Sequence, residues 1–212
     1  MATEDASETG DVDPEQLRAQ LSRIQEAMGL VERYRSAIEQ WLVFGVLVSV
    51  ASVASQYLYT NELSWTWYWV VWIGGLGGGS ALYGRLRGGS VSWGGDEGRP
   101  DVNAIFAGVY FAFLPLLWVV YQFVPDLSYA ENNLLVLAVI CVLLGVGYLV
   151  LGNVLKAYYI RAPDRYAFYV GGVLLVVLGP LLPAFEIGRT YPYLVFGAVY
   201  LVYSVATYLY LR

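Results

Sequence analysis

The sequence predicts an all-α, polytopic membrane protein, and three observations carry that expectation. Of 212 residues, 58% are hydrophobic and only 14% are charged, against about 25% charged in ordinary soluble domains. Long apolar runs recur along the chain, each near the roughly 20 residues that a helix needs to cross about 30 Å of hydrocarbon. None of those runs contains Asp or Glu, and the one basic residue among them, Arg85, lies a turn from an end. One charge at the bilayer centre costs about 2.5–3.5 kcal/mol on insertion scales. A barrel would show short alternating segments with a polar lumen, which continuous runs of this length do not resemble.

Residues 1–12 are polar and acidic, with Glu4, Asp5, Glu8 and Asp11, and are expected to form a disordered tail. They have no basic start or early apolar run of the kind a secretory signal needs. Residues 13–40 read as a cytoplasmic amphipathic helix. Asp13, Pro14 and Gln16 supply an N-cap, a first-turn proline and half of a capping box. Leu17, Leu21, Ile24, Met28 and Val31 then recur at coiled-coil spacing. Two readings stay open for this stretch: an oligomerisation or partner-docking helix, and a helix lying on the inner leaflet.

Residues 41–212 are expected to hold six transmembrane helices in three hairpins. They run from Trp41 to Tyr59, Trp65 to Leu86, Asn103 to Val124, Leu134 to Leu155, Tyr166 to Phe185 and Tyr193 to Leu211. All basic residues except Arg189 fall on one side of that arrangement. The positive-inside rule makes that side cytoplasmic and places both termini there, in a multi-pass protein of the cell membrane. Tryptophans 65, 67, 69 and 72 crowd one end of the second segment. An interfacial belt is the favoured reading for them, ahead of a cage for a ligand cation.

The residue inventory narrows the chemistry. With no histidine and a single cysteine, Cys141, the chain offers no histidine-ligated zinc or haem, no Ser–His relay and no disulfide. No pair of intramembrane acids is available for proteolysis. The expectation is a non-catalytic protein without cofactor or metal, and without nucleic-acid binding.

Three groups of residues remain as candidate sites. Ser49, Ser52, Gln56 and Tyr59 share one face of the first segment, and Tyr193, Tyr200, Tyr203 and Thr207 nearly share one on the last. Such groups should point away from lipid, either to hydrogen-bond between helices, which is favoured, or to line a narrow wet path. Gly74, Gly75, Gly78 and Gly79, together with Ser80 and Gly84, form overlapping small-xxx-small pairs. These suit close helix packing, with a locally unwound helix as the lesser alternative. Lys156, Arg161 and Arg165 gather bases beside the start of the fifth segment. They read as a headgroup-facing loop that could also hold an anion or lipid phosphate. Pro115, Pro180 and Pro183 should bend their helices.

The function expected from these features is docking or packing with another membrane component, or with a second copy through residues 13–40. The alternative is a small-solute channel or transporter along the polar faces. The acidic soluble parts and the use of Arg for all but one of the bases resemble the bias of proteins from halophilic archaea. That resemblance implies a saline habitat and no activity.

Overall fold

The structure, a computed structural model, describes residue 20 and residues 30–86, 102–124, 126–158 and 162–212. The chain divides into two compact units, Met1–Gln40 and Trp41–Arg212. Of the first, Gln20 and residues 30–40 are described, and all are helical. The expected acidic tail, the Asp13 cap and the seam from Leu17 to Met28 lie outside the described residues.

Among the described residues there is no strand. Helix α1 spans Leu30–Thr60. A second helical stretch combines α2 (Trp65–Trp69), a π-helix (Val70–Gly78) and α3 (Gly79–Leu86). Helices α4 (Val102–Phe111) and α5 (Phe113–Phe123) follow. Then come α6 (Tyr129–Val154), a 3-10 turn (Leu155–Tyr158), α7 (Ala162–Ala184), the short α8 (Glu186–Thr190) and α9 (Pro192–Leu211). Four of these stretches are long and apolar enough to cross a membrane: Ile38–Thr60, Tyr129–Val154, Ala162–Ala184 and Pro192–Leu211.

The second and third expected segments are helical but built in pieces. Pro115 has no N–H for the carbonyl of Phe111, and the third segment is interrupted at Ala112. Hydrogen bonds from Ala112 N–H to Gly108 (3.2 Å) and from Leu116 N–H to Ala112 (3.2 Å) bridge the interruption. The break thus falls three residues before Pro115, and the backbone bonds on either side of it are kept. Pro180 and Pro183 lie within α7, which stays helical to Ala184.

The fourth segment begins at Tyr129 rather than Leu134. Ser128 and Glu131 form a reciprocal capping box: Ser128 Oγ accepts from Glu131 N–H (3.3 Å) and Glu131 Oε2 accepts from Ser128 N–H (2.9 Å). Polarity hid this turn from an estimate based on apolar length, although Ser-x-x-Glu is itself a start signal. At the other end of α1, Glu62 takes a left-handed conformation (φ 50°). Leu63 N–H reaches Leu58 C=O (3.0 Å) and Glu62 N–H reaches Tyr59 C=O (3.2 Å), the bonding pattern of a Schellman stop.

Small residues decide how the helices meet. A Cβ built on Gly145 would lie 2.6 Å from Gly172 O, and one on Gly172 would lie 2.8 Å from Gly145 O. Seven residues further along each helix, Gly152 faces the Tyr169 ring and Gly179 faces Ala138 O. Helices α6 and α7 therefore run antiparallel with their backbones in near contact. Between α1 and α9 the same device uses serine: Gly45 faces Ser204, and Gly197 faces Ser52, each at 2.6 Å from the serine Cβ. Around these seams pack Leu134, Leu137, Cys141, Leu175, Leu182 and Phe196. The opposite faces expose Val46, Val50 and Val53 on α1, Val170, Val173 and Val177 on α7, and Val202 and Leu209 on α9. Apolar faces this continuous suit a hydrocarbon solvent.

Candidate functional site

The polar face of α1 is spent on α9. Proline at the first position of α9 leaves the N–H groups of Tyr193 and Leu194 as donors at the helix start, and Tyr191 provides no side-chain cap. Gln56 takes that role from a distant part of the chain. Its Oε1 accepts from Tyr193 N–H (3.2 Å) and Leu194 N–H (3.4 Å), while its Nε2 donates to Thr190 C=O (3.2 Å) and Thr60 Oγ1 (3.4 Å). One amide thus uses both its acceptor and its donor sides. The Tyr59 hydroxyl, a turn on, donates to Arg189 C=O (2.9 Å).

Deeper along the same seam, Ser49 Oγ makes hydrogen bonds to Gly45 C=O (2.7 Å) and, across the interface, to Gly197 C=O (3.2 Å). Ser52, fully buried, donates back to Val48 C=O (2.7 Å). Toward the other end of α9, the Tyr200 hydroxyl meets that of Tyr148 (2.6 Å) and the Tyr203 hydroxyl donates to Ala167 C=O (2.8 Å). Thr207 is buried one turn further along α9. The Trp41 ring packs against Phe168 (5.0 Å) and edge-on to Tyr203 (5.7 Å) and Tyr148 (6.4 Å). All eight residues of the two expected faces, Tyr193 included, are therefore brought together at helix contacts. The depression at Ser49, Val50, Val53 and Ala54 is open and lies on the outer side of α1.

Two groups on this face stand apart. Ser55 and Ser204 are fully buried, and neither hydroxyl has a hydrogen-bond partner.

Sequence reasoning missed several participants. Asn133 is fully buried; its Nδ2 donates to Tyr129 C=O (2.9 Å) and its Oδ1 accepts from the Tyr193 hydroxyl (3.2 Å). The Tyr129 hydroxyl in turn donates to Leu63 C=O (2.8 Å) and contacts the Tyr68 hydroxyl (3.3 Å), so it pins the turn after α1. Tyr121 hydrogen-bonds Asn132 beside this group. An asparagine one turn inside a Ser-x-x-Glu start was the available signal for Asn133. For Gly45, Gly197 and Ser204 the signal was the shared Gly-x6-Ser spacing of 45–52 and 197–204.

The glycine group divides. A Cβ on Gly79 would meet Leu47 at 2.6 Å, whereas at Gly74, Gly75 and Gly78 it meets nothing within 4 Å. Close packing among the described residues is thus seen at Gly79, and the other three face open space. The surroundings of Ser80 and Gly84 are outside the described set. The tryptophans divide too. Trp65 packs on Tyr68 (5.2 Å) and Trp72 on Phe196 (6.1 Å). Trp67 and Trp69 are 55% and 58% exposed and point elsewhere, so the four rings enclose no common volume.

Of the basic group, Lys156 is exposed on the 3-10 turn and Arg165 is half-buried in the first turn of α7, with its Nε buried and unbonded. Arg161 lies outside the described residues. Cys141 is wholly buried in the core. Among the described residues, no three His, Cys, Asp or Glu side chains are grouped to hold a metal ion. Comparison of the chain with protein-family models, curated proteins and solved structures finds no match.

Proposed function

We propose that the chain is a non-catalytic integral membrane protein that acts by helix packing or docking with another membrane component. In this reading it has six spans, with α2–α3 and α4–α5 as the second and third, and both termini are cytoplasmic. The lipid bilayer is its first partner. A second partner, another copy or a different membrane protein, meets residues 13–40.

The observation that carries the reading is how the polar groups of the first and last spans are used. Gln56, Ser49, Tyr59, Tyr200 and Tyr203 each bond a carbonyl, an amide or a hydroxyl of another helix or of the segment leading into α9. A solute path needs such groups facing a common space, where water or solute can exchange between them. Pairing them with protein suits a scaffold rather than a conduit, and residues 13–40 are the segment assigned to partner docking. The exposed Trp67, Trp69 and Tyr57 at one end of the bundle fit an interfacial belt.

The test is removal of residues 13–38. Loss of mass from the detergent-extracted complex is the expected result, and an unchanged mass refutes docking through this helix. The alternative, a small-solute channel or transporter along the same polar faces, draws support from the buried, unbonded hydroxyls of Ser55 and Ser204. It requires purified protein in liposomes to accelerate flux of a small neutral or charged solute, and the packing proposal requires that it does not.

A further inference from the structure

We propose that Val70–Gly78 is a hinge, at which the Gly79–Leu86 half of the second helical stretch turns relative to the Trp65–Trp69 half. Its hydrogen-bond register differs from that of its flanks, being π over nine residues between two α-helical pieces. Departures of this kind within a helix mark hinges and functional sites in other proteins.

Sequence explains why the register can shift here. Four of the nine residues, Gly74, Gly75, Gly77 and Gly78, are glycine, the residue with the weakest commitment to any one helical geometry. None would bring a Cβ within 4 Å of another group, so moving them breaks no side-chain packing. Ile73 beside them is exposed and, in a bilayer, exchanges one lipid contact for another.

The ends of the stretch are held differently. On the amino-terminal side the Tyr68 ring lies tilted against Tyr193 (5.5 Å), its hydroxyl meets Tyr129 (3.3 Å), and Trp72 packs on Phe196 (6.1 Å). Aromatic contacts and a hydrogen bond fix the direction of that half. Beyond the glycines, the approach at Gly79 is made by the δ-methyl groups of Leu47, the mobile tip of a flexible side chain that can slide as the helix turns. Returning the π segment to α register changes the rotation of everything after it. The face that Leu82 and Arg85 now expose would then be replaced by another.

Spin-label distance measurements test this in bilayers. With Cys141→Ala as background, labels are placed by Trp67→Cys and Leu82→Cys, both exposed and on either side of the π segment. A control pair, Val170→Cys and Leu181→Cys, is also exposed and lies within the continuous α7. The expected result is a distance distribution across the π segment at least twice as wide as the control. Converting Gly74, Gly75, Gly77 and Gly78 to alanine should narrow it to the control width. A distribution as narrow as the control in the glycine protein overturns the hinge. So does a broad distribution that the alanines leave unchanged.

Discussion

Replacing Gln56 by leucine is the sharpest probe of the contact between the first and last spans. The change keeps side-chain volume near constant and removes four hydrogen bonds, two to the first N–H groups of α9, one to Thr190 C=O and one to Thr60 Oγ1. Loss of a helix cap costs about 1 kcal/mol. A buried backbone group left without a partner costs about 1–3 kcal/mol, and the bond at Tyr193 N–H is buried. Thr60 keeps its own bond to Gln56 C=O (2.9 Å) and loses little. An average interhelical hydrogen bond in a membrane contributes only about 0.6 kcal/mol, so simple pair counting gives about 2 kcal/mol and the unsatisfied-donor argument gives more. The expected loss is about 2–4 kcal/mol. At about 2–4 °C per kcal/mol for a chain of this size, the unfolding midpoint in mild detergent should fall by roughly 4–16 °C. Ser52→Ala is the matched control: Ser52 is also fully buried, but its hydroxyl bonds only its own helix, and it should lose less than about 1 kcal/mol. Equal losses for the two variants, or a Gln56→Leu midpoint within a degree of the native protein, would refute the cross-chain cap.

The glycine seams give a second contrast. Gly172→Ala sets a Cβ 2.8 Å from Gly145 O and should lower stability by about 1–3 kcal/mol; Gly75→Ala, open on that side, should be neutral or gain up to about 1 kcal/mol, both read by thermal unfolding. At the α1–α9 contact, Gly197→Ala collides with Ser52, and adding Ser52→Gly should recover about 1 kcal/mol or more in a double-mutant cycle. Cys141, at 0% exposure, should resist a membrane-permeant maleimide in the folded protein and label only on unfolding; mass spectrometry of the folded sample decides. For the topology, cysteines introduced at Thr9 and at Asn61, each on the Cys141→Ala background, should respond oppositely to an impermeant reagent on sealed cells. Asn61 should label and Thr9 should not, and the reverse pattern would invert the proposed orientation.

Some of the fold was legible because membrane segments answer to one local variable. Uninterrupted apolar length located the four long helices from the sequence, with error only where polar residues do structural work, as Ser128 and Glu131 do at the start of α6. For the second and third segments, proline chemistry foresaw a bend near Pro115, and the glycine run left a locally unwound helix as the lesser alternative. Apolarity is the same in every helical geometry, so it could not report a break at Ala112 or π register over Val70–Gly78. At the candidate site, periodicity put Ser49, Ser52, Gln56 and Tyr59 on one face and could not name what they meet. The glycines most conspicuous in sequence, 74, 75 and 78, proved to face open space, while the less conspicuous Gly45, Gly145, Gly172 and Gly197 carry the close contacts.

The sequence by itself determined that this chain is helical, that it is apolar enough for a bilayer, and which of its side chains are too polar to leave facing lipid. Hydrocarbon enforces those properties residue by residue, so they are written locally. Only the tertiary structure decided partners. The pairing of Gln56 with the start of α9, of Gly45 with Ser204 and of Gly145 with Gly172 depends on how residues far apart in the chain are brought within hydrogen-bonding or van der Waals reach. A hydrogen bond or a van der Waals contact is lost within an ångström or so of misplacement, and spacing along one helix holds no information about the register of another.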